Sequence, residues 1–64
     1  MEEKEINYVI CYWKSNFQYG IRVEDVLIHD IPFTAKCETK QELEQLLKSL
    51  QKEFKNSKIV ELSY

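Results

Sequence analysis

The sequence predicts a small α+β domain: an antiparallel β-sheet of three to five strands with one α-helix packed on one face, in the order β-β-β-α-β. Three observations carry this. Residues 6–23 are dense in β-branched and aromatic types, and along 17–23 apolar and polar residues alternate. Residues 43–54 change period, with Leu43, Leu46, Leu47, Leu50 and Phe54 falling on one stripe of a helix. A chain of 64 residues, 44% hydrophobic and 31% charged, has the composition of one globular domain. A domain of that size buries only about 60% of its unfolded surface, so its core is thin.

The first strand is predicted over residues 6–14. Ile6, Tyr8, Ile10 and Tyr12 point one way, and Val9, Cys11 and Trp13 the other. Both sides are apolar, which fits a central strand or one covered on both faces. Ser15-Asn16 supplies a turn from a chain with a single glycine, Gly20. In the second strand Phe17, Tyr19, Ile21 and Val23 alternate with Gln18, Gly20 and Arg22, as in an antiparallel sheet with one wet face. At Glu24-Asp25 the phase shifts, and Val26 and Ile28 become the apolar partners, with Leu27 opposite. Either a bulge bends one long strand, the preferred reading, or a turn leads into a separate strand 26–31.

Pro32, the single proline, has no N–H to give a ladder and interrupts this region. Phe33, Ala35 and Cys37 then alternate with Thr34, Lys36 and Glu38 as a short strand. Thr39 followed by Glu42 is a capping box, because the hydroxyl accepts from the Glu42 amide while the carboxylate reaches back. The helix is predicted over 40–55, supported by the Glu44–Lys48 pair and by Lys52 and Lys55 at its negative end, and it should end near Asn56-Ser57. Residues 58–64 read as a last strand, with Val60, Leu62 and Tyr64 on one side and Ile59, Glu61 and Ser63 on the other.

No apolar run approaches the roughly 18 residues of a membrane-spanning helix. The acidic start, Met-Glu-Glu-Lys-Glu, is unlike a secretory signal. The expectation is a cytoplasmic protein, of a bacterium or of the host cell if phage-encoded, forming a single domain over 1–64 with residues 1–5 frayed. Cys11 and Cys37 lack Cys-x-x-Cys spacing and are too few for a disulfide scaffold, so they are expected as reduced core residues.

Catalytic chemistry finds little support. His29 is the single histidine, and Asp30 beside it on a strand would face the opposite way, so the pair makes a poor general base. A zinc site would need Cys11, Cys37 and His29 to converge from separate segments. Cys37 lies just before the helix N-terminus, which would lower its thiol pKa slightly, but its alternation with Phe33 and Ala35 points to the core. No enzymatic activity, cofactor or metal is expected.

Function is read from a count of faces. A sheet has two faces, and one helix covers one of them. The eight aromatics, with Val9 and Cys11, exceed what that face can hold. The expected partner-binding or dimer face is Val9, Cys11, Trp13, Phe17 and Tyr19, since exposed apolar patches rich in Trp and Tyr mark interaction surfaces. The sequence thus predicts a small non-catalytic protein-binding module with a regulatory or inhibitory role, acting as a homodimer and engaging another protein. Its size, acidic balance and Lys/Glu/Asn/Ile-rich composition suit a phage-type inhibitor of a host defence or nucleic-acid-processing enzyme. The alternative is a single-stranded nucleic-acid-binding protein using the hairpin 12–22, with Tyr12, Trp13, Lys14, Phe17 and Arg22 as contacts. Against it, residues 1–38 carry four cations and seven acids, whereas phosphate binding favours a basic stripe.

Overall fold

The computed structural model describes residues 6–63. The expected fraying of residues 1–5 and the facing of Tyr64 lie outside these residues. Strand β1 (Tyr8–Ser15), β2 (Gln18–Asp25) and β3 (Asp30–Cys37) are followed by helix α1 (Lys40–Glu53) and β4 (Ser57–Glu61). They form the small α+β fold with the element order read from the sequence. The strands lie in the order β3-β2-β1-β4.

The sheet is mixed, whereas the sequence pattern suggested a wholly antiparallel one. β1 pairs antiparallel with β2, and β2 with β3, but β4 runs parallel to β1. The cause is α1. The helix carries the chain from the end of β3 back to the level where β1 begins, and a helical return is how a parallel neighbour is reached. The junction is tied there by Asn7 N, which donates to Asn56 O at 2.8 Å.

Both hairpin turns are built without glycine. Asn16, with φ 55°, turns β1 into β2; Asn is one of the few side chains that tolerate this region. The second turn corrects the long bent strand expected at Glu24-Asp25. β2 stops at Asp25, residues 26–29 turn, and β3 starts at Asp30. The Asp25 carboxylate accepts from Leu27 N (2.9 Å) and Ile28 N (3.3 Å), while His29, at φ 57°, donates its N–H to Asp25 O (2.8 Å). A side chain that satisfies two turn amides lets Val-Leu-Ile, strand formers by composition, close a hairpin. The register does shift between Val23 and Asp25. Pro32 lies inside β3, an edge strand, where its missing N–H is tolerated.

The core lies between α1 and one sheet face. Ile10, Ile21, Val23, Cys37, Leu43 and Leu50 are buried, and Tyr8, Tyr19, Phe33 and Ile59 pack around them. Tyr8 meets Phe54 edge to face at 4.9 Å between centroids. At the start of α1, Thr39 Oγ1 accepts from Glu42 N (3.2 Å), and Glu42 Oε1 accepts from Glu38 N (3.2 Å). The capping box therefore closes one residue upstream of its usual form. The helix ends at Glu53, with Phe54 N–H donating to Leu50 O, and Asn56, at φ 59°, turns the chain into β4.

Candidate functional site: the uncovered face of the sheet

Strand register decides which residues share a face. Ile10 pairs with Val23 and Tyr12 with Ile21, all on the helix side. The intervening pairs, Val9 with Glu24, Cys11 with Arg22 and Trp13 with Gly20, point away from the helix. β4 adds Lys58 beside Val9 and Val60 beside Cys11, and β3 adds Thr34 beside Arg22 and Lys36 beside Gly20. The ladder continues past β4 through Leu62 N, which donates to Tyr12 O at 2.8 Å, so Leu62 follows Val60 on this side. Among the described residues, no element covers this face.

The face has two halves. Along β1 and β4 it is apolar apart from Lys58: Val9, Cys11, Trp13, Val60 and Leu62. Along β2 and β3 it is polar: Gln18, Arg22, Glu24, Thr34 and Lys36. Trp13 lies flat over Gly20, since a Cβ built there would stand 2.5 Å from the indole Cζ2. A strand glycine is thus the seat for a close approach. Cys11 is only 6% exposed although it faces away from the helix. Trp13, Gln18, Arg22, Thr34 and Lys36 line an open depression of about 400 Å³.

Its electrostatics depart from those of the chain. Among the described residues, Arg22, Lys36 and Lys58 stand on this face against Glu24 alone, although the chain carries a net −2. The Arg22 Nε is buried with no hydrogen-bond partner. An orphaned donor of a charged group carries a desolvation cost of about 1–3 kcal/mol or more.

The expected partner face is only partly assembled. Val9, Cys11 and Trp13 are together. Phe17 stands at the β1–β2 turn, 94% exposed, and Tyr19 is on the helix side against the core. The reason is the two-residue turn at Asn16 and Phe17. It pairs Ser15 with Gln18, so the odd residues of β1 share a face with the even residues of β2. Val60, Leu62, Glu24 and Lys36 were missed as members of this surface, and Arg22 was expected only as a nucleic-acid contact, although the alternation within each strand carried the signal. The nucleic-acid set divides in the same way. Trp13 and Arg22 are on the open face. Tyr12 is on the other side, where burial and the facing Glu61 raise its phenol pKa, and Lys14 stands there with Nζ 5.7 Å over the Tyr19 ring.

Cys37 is buried, and burial followed by the Glu42 carboxylate pushes its thiol pKa up. The shift is opposite to the lowering expected from the helix N-terminus, with burial its main cause, and a raised thiol is a poor nucleophile. His29 is an exposed turn residue rather than a strand residue. Among the described residues, no three His, Cys, Asp or Glu side chains group as a metal site, and no helix is long and apolar enough to cross a membrane. Comparison with protein-family models, curated proteins and solved structures finds no match.

Proposed function

We propose that this chain is a non-catalytic protein-binding module that acts as a homodimer, with the uncovered sheet face as the contact between copies. The observation that supports this is the apolar half of that face, Val9, Cys11, Trp13, Val60 and Leu62, on which no described element packs. Its size suits a second copy of the same sheet. Strands spaced about 4.8 Å apart and about 26 Å long give a four-stranded face of roughly 500 Å² in projection. Two such faces remove about 1,000 Å² from water, the threshold for a specific interface and below that of most stable dimers, which suits a weak dimer. Such a module regulates or inhibits by occupying a site on another protein. The exposed Phe17 at the β1–β2 hairpin tip stays free for that contact.

Size-exclusion chromatography across a concentration series tests the interface. Val9→Lys and Val60→Lys should elute later than the parent protein, while Gln45→Lys, on the exposed side of α1, should not. Equal elution of all four proteins would remove the open face from the reading.

A second reading has its own observation. Trp13, Arg22 and Lys36 line one depression, and a ring beside two cations is a seat for a single-stranded nucleotide. Quenching of the Trp13 emission by a short oligonucleotide at low salt, lost on Arg22→Gln, would favour it. No quenching would remove it.

A further inference from the structure

The open face is self-complementary in one orientation, and this deepens the homodimer reading, on which it rests. We infer that two copies stack face to face about a two-fold axis lying across the strands near Val23, so that Glu24 of each copy pairs with the Arg22 guanidinium of the other.

The argument starts from β2. Arg22 and Glu24 are successive residues on its outward side, about 7 Å apart along the strand. A two-fold axis that crosses the strands at the level between them exchanges their positions. It therefore brings the carboxylate of one copy over the guanidinium of the other, twice per dimer. Stacked sheets lie about 10 Å apart, a gap that an Arg and a Glu side chain span together.

The same axis exchanges the rows on β1. Val9, beside Glu24, comes over the row of Cys11, beside Arg22, so the apolar halves meet each other. It also carries the β2–β3 turn of one copy, with exposed Leu27 and Ile28, towards the Trp13–Lys36 depression of the other. That turn is flanked by Glu24, Asp25 and Asp30, with no Lys or Arg from 23 to 35. The depression holds Arg22 and Lys36. An acidic, apolar tip meets a basic, aromatic hollow.

Within one copy the tip cannot serve its own hollow. Gly20 and Leu27 are seven positions apart on an extended chain, roughly 20 Å. The second observation is the charge complementarity of the acidic tip, with Glu24, Asp25 and Asp30, and the hollow that holds Arg22 and Lys36. Other registers fail this test. Moving the axis one residue along β2 places Arg22 over Arg22, or Glu24 over Glu24, of the partner copy.

Charge reversal tests the pairing. Arg22→Glu and Glu24→Arg are each expected to raise the dimer dissociation constant about tenfold or more, since each change acts at both symmetric contacts. The double variant R22E/E24R restores the pair with its polarity exchanged and should return to within a few-fold of the parent value. If a reversal disturbs folding, as read by far-UV circular dichroism, the near-isosteric Arg22→Gln, Glu24→Gln and R22Q/E24Q replace it. The two singles should then weaken the dimer equally, and the double no further. A parent dimer that is unmoved by the single changes, or a double as weak as the sum of the singles, overturns the pairing and leaves the homodimer standing. A parent protein that is monomeric at high micromolar concentration overturns both.

Discussion

Gly20→Ala examines the open face at its tightest point. The added methyl carbon would stand 2.5 Å from Trp13 Cζ2 and 2.6 Å from Cε2. Carbon atoms rest at about 3.5–4.0 Å, so the indole must lift by about 1 Å. Two effects oppose each other. Alanine removes the entropic cost of a glycine in a strand, a gain of about 0.5–1 kcal/mol. Overpacking costs about 1–3 kcal/mol. The clash wins because the ring is already half-buried among its row neighbours and its nearest atoms are rigid. The net loss is about 1–2 kcal/mol, which lowers Tm by roughly 7–15 °C in a domain this small. Trp13 is the single tryptophan, so its emission reports the same event directly. The native emission should shift to the red as the indole rises from its seat, in parallel with the fall in Tm from thermal unfolding. A Tm that rises by several degrees with unchanged emission would show that the indole does not lie on Gly20.

Three further outcomes follow from the other half of the molecule. Leu50→Ala, at a core position 4% exposed, should cost about 2–5 kcal/mol in urea unfolding, enough to leave the domain near its folding midpoint. Thr39→Ala removes the hydroxyl that accepts from Glu42 N and should cost about 1 kcal/mol, while Thr39→Ser should cost little. The Cys37 thiol and Tyr12 phenol are both raised, so the native state holds these protons more tightly than the unfolded chain. Their stabilising contribution is complete below the unfolded values and is lost as pH rises through the folded ones. Denaturation midpoints should therefore fall above roughly pH 8.5, and Cys37→Ala should flatten the first part of that fall.

Much of the fold is legible in the residues because local rules dominate there. Thr39 and Glu42 place the helix start to within a residue, since a cap is a contact between near neighbours. Tyr19, Ile21 and Val23 alternate visibly because only one side of β2 is buried. The parallel placement of β4 is not local. It depends on the length of α1 and on which edge of the sheet is free, and neither is written in residues 57–61. The β2–β3 turn was hidden for another reason. Val26, Leu27 and Ile28 favour strands by composition, and the instruction to turn comes from one carboxylate, Asp25, accepting from two amides.

The site was half legible. An apolar face in excess of what one helix covers follows from counting, and Val9, Cys11 and Trp13 are on it. Phe17 and Tyr19 do not join them because faces on neighbouring strands are matched by the turn, not by adding up apolar residues. Glu24 and Lys36 escaped notice, and Arg22 stood out only as a nucleic-acid contact, because charged residues alternating along a strand look like a solvated face. Only the register sets them beside Trp13 and shows one guanidinium nitrogen buried without an acceptor.

Sedimentation equilibrium of the unaltered protein, from low to high micromolar concentration, tests the central claim most directly. The account requires a monomer–dimer equilibrium, with the apparent mass rising from 7.7 kDa towards twice that value as concentration increases. A single species at the monomer mass across the whole range would contradict it.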